Sequence, residues 1–407
     1  MTARTSHFVI IGASLAGAKA AETLRKEGYA GRVTLIGDEL HRPYERPPLS
    51  KGYLLGSAER DSVFVHPATW YAEHYVDLRL GTRATAVDAR GHKVLLADGD
   101  RLRYDALLLA TGSEPVRLKI PGADLDGVHY LRRLEDSEAL KAAFARAPRV
   151  VVIGGGWIGL EVAAAARTAG LEVTVLEAAE LPLLRVLGPE VAQVFADLHR
   201  EHGVELRCGV HVERILGSGG TVTGVELSGG EVVEAGLVVV GVGIRPNTGL
   251  AEGAGLAVEN GIVVDEHLRT SDPDVYAAGD VANAFNPLLG RRIRVEHWAN
   301  ATRQGPVAAR SMLGQDATYA RLPYFFTDQY DLGMEYNGYA EGYDRVILRG
   351  DVAGREFIAF WLVNGRVLAG MGVNIWDTTA DVTRLITSRR EVDLGRLANP
   401  DVPLRDV

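Results

Sequence analysis

The chain of 407 residues has one cysteine, Cys208. A single thiol closes no internal disulfide and forms no cysteine pair of the kind that relays electrons in a thiol–disulfide enzyme. A reducing compartment, the cytoplasm, is the expected setting. Long apolar runs are missing too: nothing approaches the ~20 residues of a spanning helix, so no membrane association is expected. Excess positive charge is likewise absent. The 44 Lys and Arg face 53 Asp and Glu, a net charge of −9, which argues against a general nucleic-acid binder. No low-complexity tract or tandem repeat is visible. What remains, 47% hydrophobic and 24% charged, is the composition of a soluble globular protein, and the length calls for two or three domains.

Glycine is abundant: 47 residues of 407, against a usual ~7%. Two clusters of it stand out. In a dinucleotide-binding turn the first glycine permits the tight strand-to-helix turn, the second lets backbone approach a pyrophosphate, and the third lets helix pack on strand. The helix N-terminus then offers free N–H groups to phosphate. VIIGASLAG supplies Gly12 and Gly17 for the first and third roles and puts Ser14 at the second, a small residue that keeps the match weaker than a full motif. Asp38, at the end of the next strand, is placed to accept bonds from a ribose. VVIGGGWIGLE supplies all three glycines, Gly154, Gly156 and Gly159, with Ile158 in the same turn. Glu177 ends the following strand, LEVTVLE, where a carboxylate binds both ribose hydroxyls of NAD and repels the extra phosphate of NADP. NADH is therefore favoured over NADPH, and Arg185, eight residues on, keeps the second alternative open.

The rest of the chain reads as α/β. HFVIIG (7–12), LLLATG (107–112, ending in Thr111 and Gly112) and VYAAGD (275–280, with Gly279 and Asp280) are short apolar runs ending at glycine, the pattern of buried parallel strands. Residues 14–27 show helical spacing, with Leu15, Ala18, Ala21 and Leu24 on one side and Lys19, Glu22, Arg25 and Lys26 on the other. Residues 40–60, rich in Pro and Arg, read as a long functional loop. A helix is expected over 157–169 and another over 299–312. Residues 225–234 read as a hairpin turning at Gly229-Gly230, and Asn364-Gly365 is a type I′ hairpin signal. Cys208 falls in a strand, as a buried structural thiol. The expected organisation is two Rossmann-like domains and a small C-terminal α+β domain: 1–115 with 245–319, 116–244, and 320–407.

Several further segments, VTLIGDELHRPYERPPLSKGYL (33–54), LLLATGSEP, YLRRLEDS (130–137), VYAAGDVA, RVEHWANA (294–301) and PYFFTDQYD (323–331), are together similar to the flavoprotein ferredoxin reductases of bacterial oxygenase systems. The PPLSK run and the EHW segment are more specific than any glycine pattern, and the resemblance covers essentially the whole chain. Such enzymes follow the plan of glutathione reductase without its redox disulfide. The resemblance implies FAD in the first cradle and NADH in the second. By it, Ala16 and Gly17 face the FAD pyrophosphate with Arg132, Asp38 the adenosine ribose, Ala84 the adenine end, Asp280 the ribityl chain and Trp298 the isoalloxazine, while Arg46, Thr111, Gly112 and Gly279 belong to the same FAD-binding set. Lys51 would sit beside the flavin, Glu161 would neighbour Lys51 and the nicotinamide, and Glu177 would take the ribose. Plainer roles compete: Lys51 as a solvated charge, Asp280 as a helix N-cap, Trp298 as core. Glu161, among Leu160, Val162 and Ala163, needs a partner if buried. The implied reaction is hydride transfer from NADH to FAD, then single electrons to a two-iron two-sulfur ferredoxin that serves a haem-thiolate or Rieske oxygenase. Ferredoxins are acidic, so docking would use Arg291, Arg292, Arg294, Arg303 and Arg310, with Arg42, Arg46 and Arg321 as further candidates. No metal ligand set is expected. The competing readings are a peroxide-forming NADH oxidase and a redox-sensing flavoprotein without enzymatic activity.

Overall fold

The computed structural model describes residues 6–407, and they form two compact units. The first holds the chain up to Glu45, Arg60–Glu114 and Arg245–Pro323. Its centre is a parallel five-stranded sheet in the order Val275–Ala277, Ala106–Leu109, His7–Ile11, Arg32–Ile36, Val76–Arg79. The apolar runs earn this place because a parallel sheet is covered on both faces: Val9, Ile10, Val33, Leu35, Leu107 and Leu108 are fully buried. The helix Leu15–Lys26 buries Leu15, Ala18, Ala21 and Leu24. It packs on the helix Trp298–Met312, where a Cβ built at Gly305 would lie 2.4 Å from the Ala16 carbonyl oxygen. Two small sheets complete the unit: an antiparallel one of Ala84–Asp88, Lys93–Leu96 and Arg101–Arg103, and a mixed one of Ile262–Val264, Ala282–Asn286 and Arg291–Arg294, in which Ile262–Val264 pairs parallel to its neighbour.

The second unit holds Arg46–Glu59, Pro115–Ile244 and Tyr324–Val407. It repeats the parallel five-stranded plan in the order Glu205–Cys208, Glu172–Glu177, Arg149–Ile153, Leu237–Val240, Val128–Tyr130. A three-stranded antiparallel sheet carries the hairpin expected at Gly229-Gly230. The C-terminal residues form a five-stranded antiparallel sheet, Tyr324–Gln329, Leu332–Gly338, Arg366–Val373, Glu356–Val363, Arg345–Asp351, covered by the helix Thr379–Ser388. Its tight turn is at Asn364 (φ 47) and Gly365 (φ 71), the left-handed pair that a type I′ turn requires.

Residues 40–60 carry more structure than the loop expected from their proline content. Pro47–Ser50 forms a 3-10 turn and Gly52–Leu55 a short helix. Proline suits a first turn, because its missing N–H would be an orphan donor there. This segment joins the second unit: Ser137 Oγ donates to the Leu49 carbonyl at 2.8 Å, and Tyr53 Oη to Glu138 at 2.8 Å. Cys208 ends an edge strand and is half-buried, not buried as expected, and burial pushes its thiol up. Among the described residues no helix is long and apolar enough to cross a membrane, and no cluster of His, Cys, Asp or Glu is arranged to hold a metal.

Candidate active site

The first cradle is built by exclusion. A Cβ at Gly12 (φ +119) would lie 2.0 Å from the Ala110 carbonyl oxygen, and one at Gly17 would lie 2.1 Å from the Gly12 carbonyl oxygen. Only glycine lets strand, turn and helix approach this closely. Ser14 is the N-cap in extended conformation, and its side chain makes no capping bond, so the first-turn N–H groups face outward unclaimed by it. A second turn comes close at Gly279 (φ +82), where an added Cβ would lie 3.2 Å from the Ala16 Cβ. Gln304, 1% exposed on the Trp298–Met312 helix, accepts the Gly279 N–H at 2.8 Å and fixes that turn. Residues 282–286 are a strand, so Asp280 caps no helix, and the simple N-cap reading of it is withdrawn. Asp38 is exposed just past the Arg32–Ile36 strand, Ala84 opens its strand half-buried, and Trp298 is half-buried at the first position of its helix. Thr111 and Gly112 are clamped by Asn247: Thr111 Oγ1 donates to the Asn247 carbonyl at 2.8 Å, Asn247 Nδ2 to the Thr111 carbonyl at 2.9 Å, and Asn247 N to the Gly112 carbonyl at 2.9 Å. A glycine turn with open N–H groups at a helix start fits a dinucleotide pyrophosphate.

The second cradle is in the second unit. A Cβ at Gly154 (φ +106) would lie 2.4 Å from the Gly241 carbonyl oxygen, and one at Gly159 would lie 2.1 Å from the Gly154 carbonyl oxygen. Gly156 differs: a Cβ there would meet nothing nearer than 3.9 Å. Its lack of a side chain is not demanded by the protein's own packing, which is what a surface kept clear for a ligand looks like. Glu177 is held in place by backbone. Its Oε2 accepts the Gly155 N–H at 2.6 Å and its Oε1 the Ala179 N–H at 2.8 Å. Each oxygen keeps a lone pair for a ribose hydroxyl. Ile158 is 45% exposed at the mouth of the turn, and Arg185 is exposed in the first turn of the helix Leu184–Glu201.

Lys51 and Glu161, far apart in sequence, meet within the second unit, Nζ to Oε1 at 2.6 Å. Lys51's side chain is 18% exposed and Glu161's 5%, so Lys51 is no solvated loop charge. The buried carboxylate has the partners it needs: Ser50 Oγ donates to Oε2, and Thr327 Oγ1 donates to Oε1 at 2.5 Å. Burial raises the neighbouring Asp328 carboxyl, against the pull of Lys51 and with the push of Glu161. Arg46 donates to the Arg132 carbonyl, and the Arg132 N–H donates to Asp136 at 2.9 Å. Sequence reasoning missed Ser50, Thr327, Asn247 and Gln304 as members of these clusters. Ser50 and Thr327 had a local signal, as members of the PPLSK and PYFFTDQYD segments, whereas Asn247 and Gln304 had none.

Of the arginines singled out for docking, all but Arg46 lie in the first unit, and several have partners in place. Arg310 Nε pairs with Glu27 at 2.8 Å, Arg294 with Glu296, and Arg292 donates to the Val264 carbonyl. Arg291, Arg292, Arg303 and Arg321 are exposed.

Two glycine cradles on two parallel sheets define a two-dinucleotide α/β oxidoreductase. The pyridine nucleotide-disulphide oxidoreductase family matches residues 6–305, and the reductase C-terminal family matches residues 324–407. The chain is 42% identical to the ferredoxin–NAD(+) reductase component of the anthranilate 1,2-dioxygenase system of Burkholderia cepacia, over 98% of both chains. It is 40% identical to putidaredoxin reductase of Pseudomonas putida, over 98% of this chain and 96% of that one. The solved covalent putidaredoxin reductase–putidaredoxin complex superposes with a TM-score of 0.95 at 40% identity, over 98% of this chain and 97% of that one. The chain therefore belongs to the pyridine nucleotide-disulphide oxidoreductase family, as an FAD- and NADH-using ferredoxin–NAD(+) reductase of the putidaredoxin reductase type.

Proposed function

We propose that this chain moves electrons from NADH to a two-iron two-sulfur ferredoxin, in the cytoplasm, for an oxygenase of the haem-thiolate or Rieske type. The reading is carried by full-length similarity to the reductase of a dioxygenase system and to that of the CYP199A2 system, in a chain whose one cysteine leaves no thiol relay. FAD, when bound, accepts a hydride and releases its electrons one at a time. The protein's part is placement and charge. Gly12, Ser14, Ala16 and Gly17 would bind the FAD pyrophosphate, and Asp38 its ribose, with Ala84, Asp280 and Trp298 along the rest of the cofactor. Arg132 would bind the pyrophosphate, and Arg46 would belong to the same FAD-binding set. Gly154, Gly156, Ile158 and Gly159 would receive NADH, and the pinned Glu177 carboxylate would take both ribose hydroxyls and repel a 2′-phosphate. Lys51 would favour the reduced, anionic form of the flavin ring, and Glu161 would keep that ammonium aimed.

The test is acceptor choice. The flavin-loaded protein, reduced with NADH, is expected to pass electrons to a two-iron ferredoxin much faster than to oxygen, and to respond to NADH well before NADPH. Fast hydrogen peroxide formation with sluggish ferredoxin reduction would instead identify an oxidase.

A further inference from the structure

Glu161 ends a longer buried network. Thr327 Oγ1, which donates to its carboxylate, lies 3.4 Å from Gln329 Nε2, and Gln329 Oε1 lies 2.8 Å from His199 Nε2. Thr327 and Gln329 are 1% exposed and His199 is fully buried. The direction of the bonding follows from its end. A carboxylate only accepts. Thr327 has one hydroxyl proton, and Glu161 takes it. Thr327 therefore meets Gln329 as an acceptor, so the Gln329 amide turns its NH2 toward Thr327 and its oxygen toward His199. His199 must then carry its proton on Nε2, leaving Nδ1 bare. Nδ1 is buried with no bonding partner, a state that a lone pair tolerates and an imidazolium N–H would not. Burial agrees, pushing His199 down to about 4.

The strand itself does not need these groups. Tyr324–Gln329 pairs through its backbone with Leu332–Gly338 in a regular antiparallel register. Valine at 327 would serve that strand as well as threonine and would nearly match its volume. A hydroxyl sealed from water and aimed at a carboxylate has its purpose in the bond it makes.

We infer that Thr327 and Gln329 are positioning residues for the reductase: with His199 as anchor, they form a one-way chain of donors that fixes the Glu161 carboxylate, and through it the Lys51 ammonium. The inference rests on the role proposed above for Lys51 and Glu161. It also gives the C-terminal sheet a part in the reaction, because two links of the chain lie on its first strand.

Trace acetylation tests the chain on the flavin-loaded enzyme, because acetic anhydride attacks only the neutral amine. The Lys51 rate, read by mass spectrometry, measures how firmly Glu161 holds the ammonium. Thr327→Val is expected to raise the Lys51 rate severalfold, because a carboxylate that has lost its fixing donor no longer stays against the ammonium. It should also slow flavin reduction at saturating NADH while the NADH concentration for half-saturation stays put. Thr327→Ser, which restores the hydroxyl, should return both to within about twofold of the parent. Gln329→Met is the second variant, in case Thr327→Val loses flavin, and should shift Lys51 in the same direction. Parent-like Lys51 labelling in flavin-retaining Thr327→Val and Gln329→Met would overturn the chain. Glu161→Gln separates the two levels. If it exposes Lys51 to acetylation while the other two do not, the chain alone falls; if it too leaves Lys51 protected, the pairing beneath it falls as well.

Discussion

At the scale of single residues, the second cradle separates two reasons for being glycine. Gly159 is glycine because its helix rests on the turn: an added Cβ would lie 2.1 Å from the Gly154 carbonyl oxygen. Gly156 has backbone angles that any residue adopts (φ −80, ψ 177) and open space around it. The two alanine variants should therefore fail differently. Gly159→Ala must push helix from strand, an overpacking cost of about 1–3 kcal/mol, and should lower the denaturation midpoint of the protein even without NADH. Gly156→Ala should unfold like the parent, yet bind NADH at least about tenfold more weakly, since a methyl group stands where a pyrophosphate must approach. Titration with NADH alongside denaturant unfolding of each variant checks both; an unaffected NADH affinity in Gly156→Ala would mean that the open face serves something else.

The glycines were legible in the sequence because their role is local: strand, turn and helix lie within a few residues of one another. Glu177 was legible for the same reason, as the acid that closes the next strand. Of its two backbone bonds, the one from Ala179 is local, and the one from Gly155 spans a single strand–helix–strand unit. The partners of Glu161 were not legible. Ser50 is 111 residues away and Thr327 is 166 away, and nothing in the periodicity of a helix says which distant strand will end beside it. A carboxylate among Leu160, Val162 and Ala163 signals only that some partner must exist.

At the scale of elements, the runs read as buried parallel strands are strands, because a segment covered on both faces must be apolar throughout, and a glycine must follow where the chain turns over the sheet edge. Tertiary membership is what the local pattern left out. Residues 46–59 look like a loop of the domain that precedes them, yet Leu54 is buried in the core cluster of the second unit, alongside Leu140 and Leu160. The C-terminal tail shows the same gap between sequence and packing. Arg349, on the strand Arg345–Asp351, is only 7% exposed, and its guanidinium donates to the carbonyls of Leu397 (3.2 Å), Pro400 (3.2 Å) and Val402 (2.5 Å). A guanidinium has five donors in a fixed fork, and here they close a carbonyl at the end of the short helix Leu394–Ala398 and the irregular backbone that follows it. Arg349→Met keeps the apolar stem and removes the fork. It should cost about 2–3 kcal/mol and show first as faster amide hydrogen exchange across 394–402, ahead of the central strands. Exchange rising evenly over the whole second unit would mean that the arginine supports the sheet and not the tail.

At the scale of the whole molecule, charge governs the encounter with a redox partner. The net charge of −9 opposes approach of an acidic ferredoxin, so association has to rely on a local reversal of sign. Arg303 and Arg310, seven residues apart on the helix Trp298–Met312, are the proposed source of it, with Arg291 and Arg292 nearby in sequence. They are unequal. Arg310 already pairs with Glu27 at 2.8 Å, so part of its charge is spent within the first unit, and reversing it also sets two acids against each other. Arg303, exposed on the same helix, is probed first. Arg303→Glu should slow ferredoxin reduction about tenfold or more at low salt, with the deficit shrinking as ionic strength rises and the Debye length falls to ~8 Å near 0.15 M. Reduction of a small neutral dye by NADH should be unchanged, because it needs the flavin and not the docking charge. Arg310→Glu should show the same ferredoxin defect together with a lower thermal midpoint. A variant that loses both ferredoxin and dye reduction has lost flavin or fold, and parent-like ferredoxin kinetics at low salt in Arg303→Glu would remove this helix face from the docking surface.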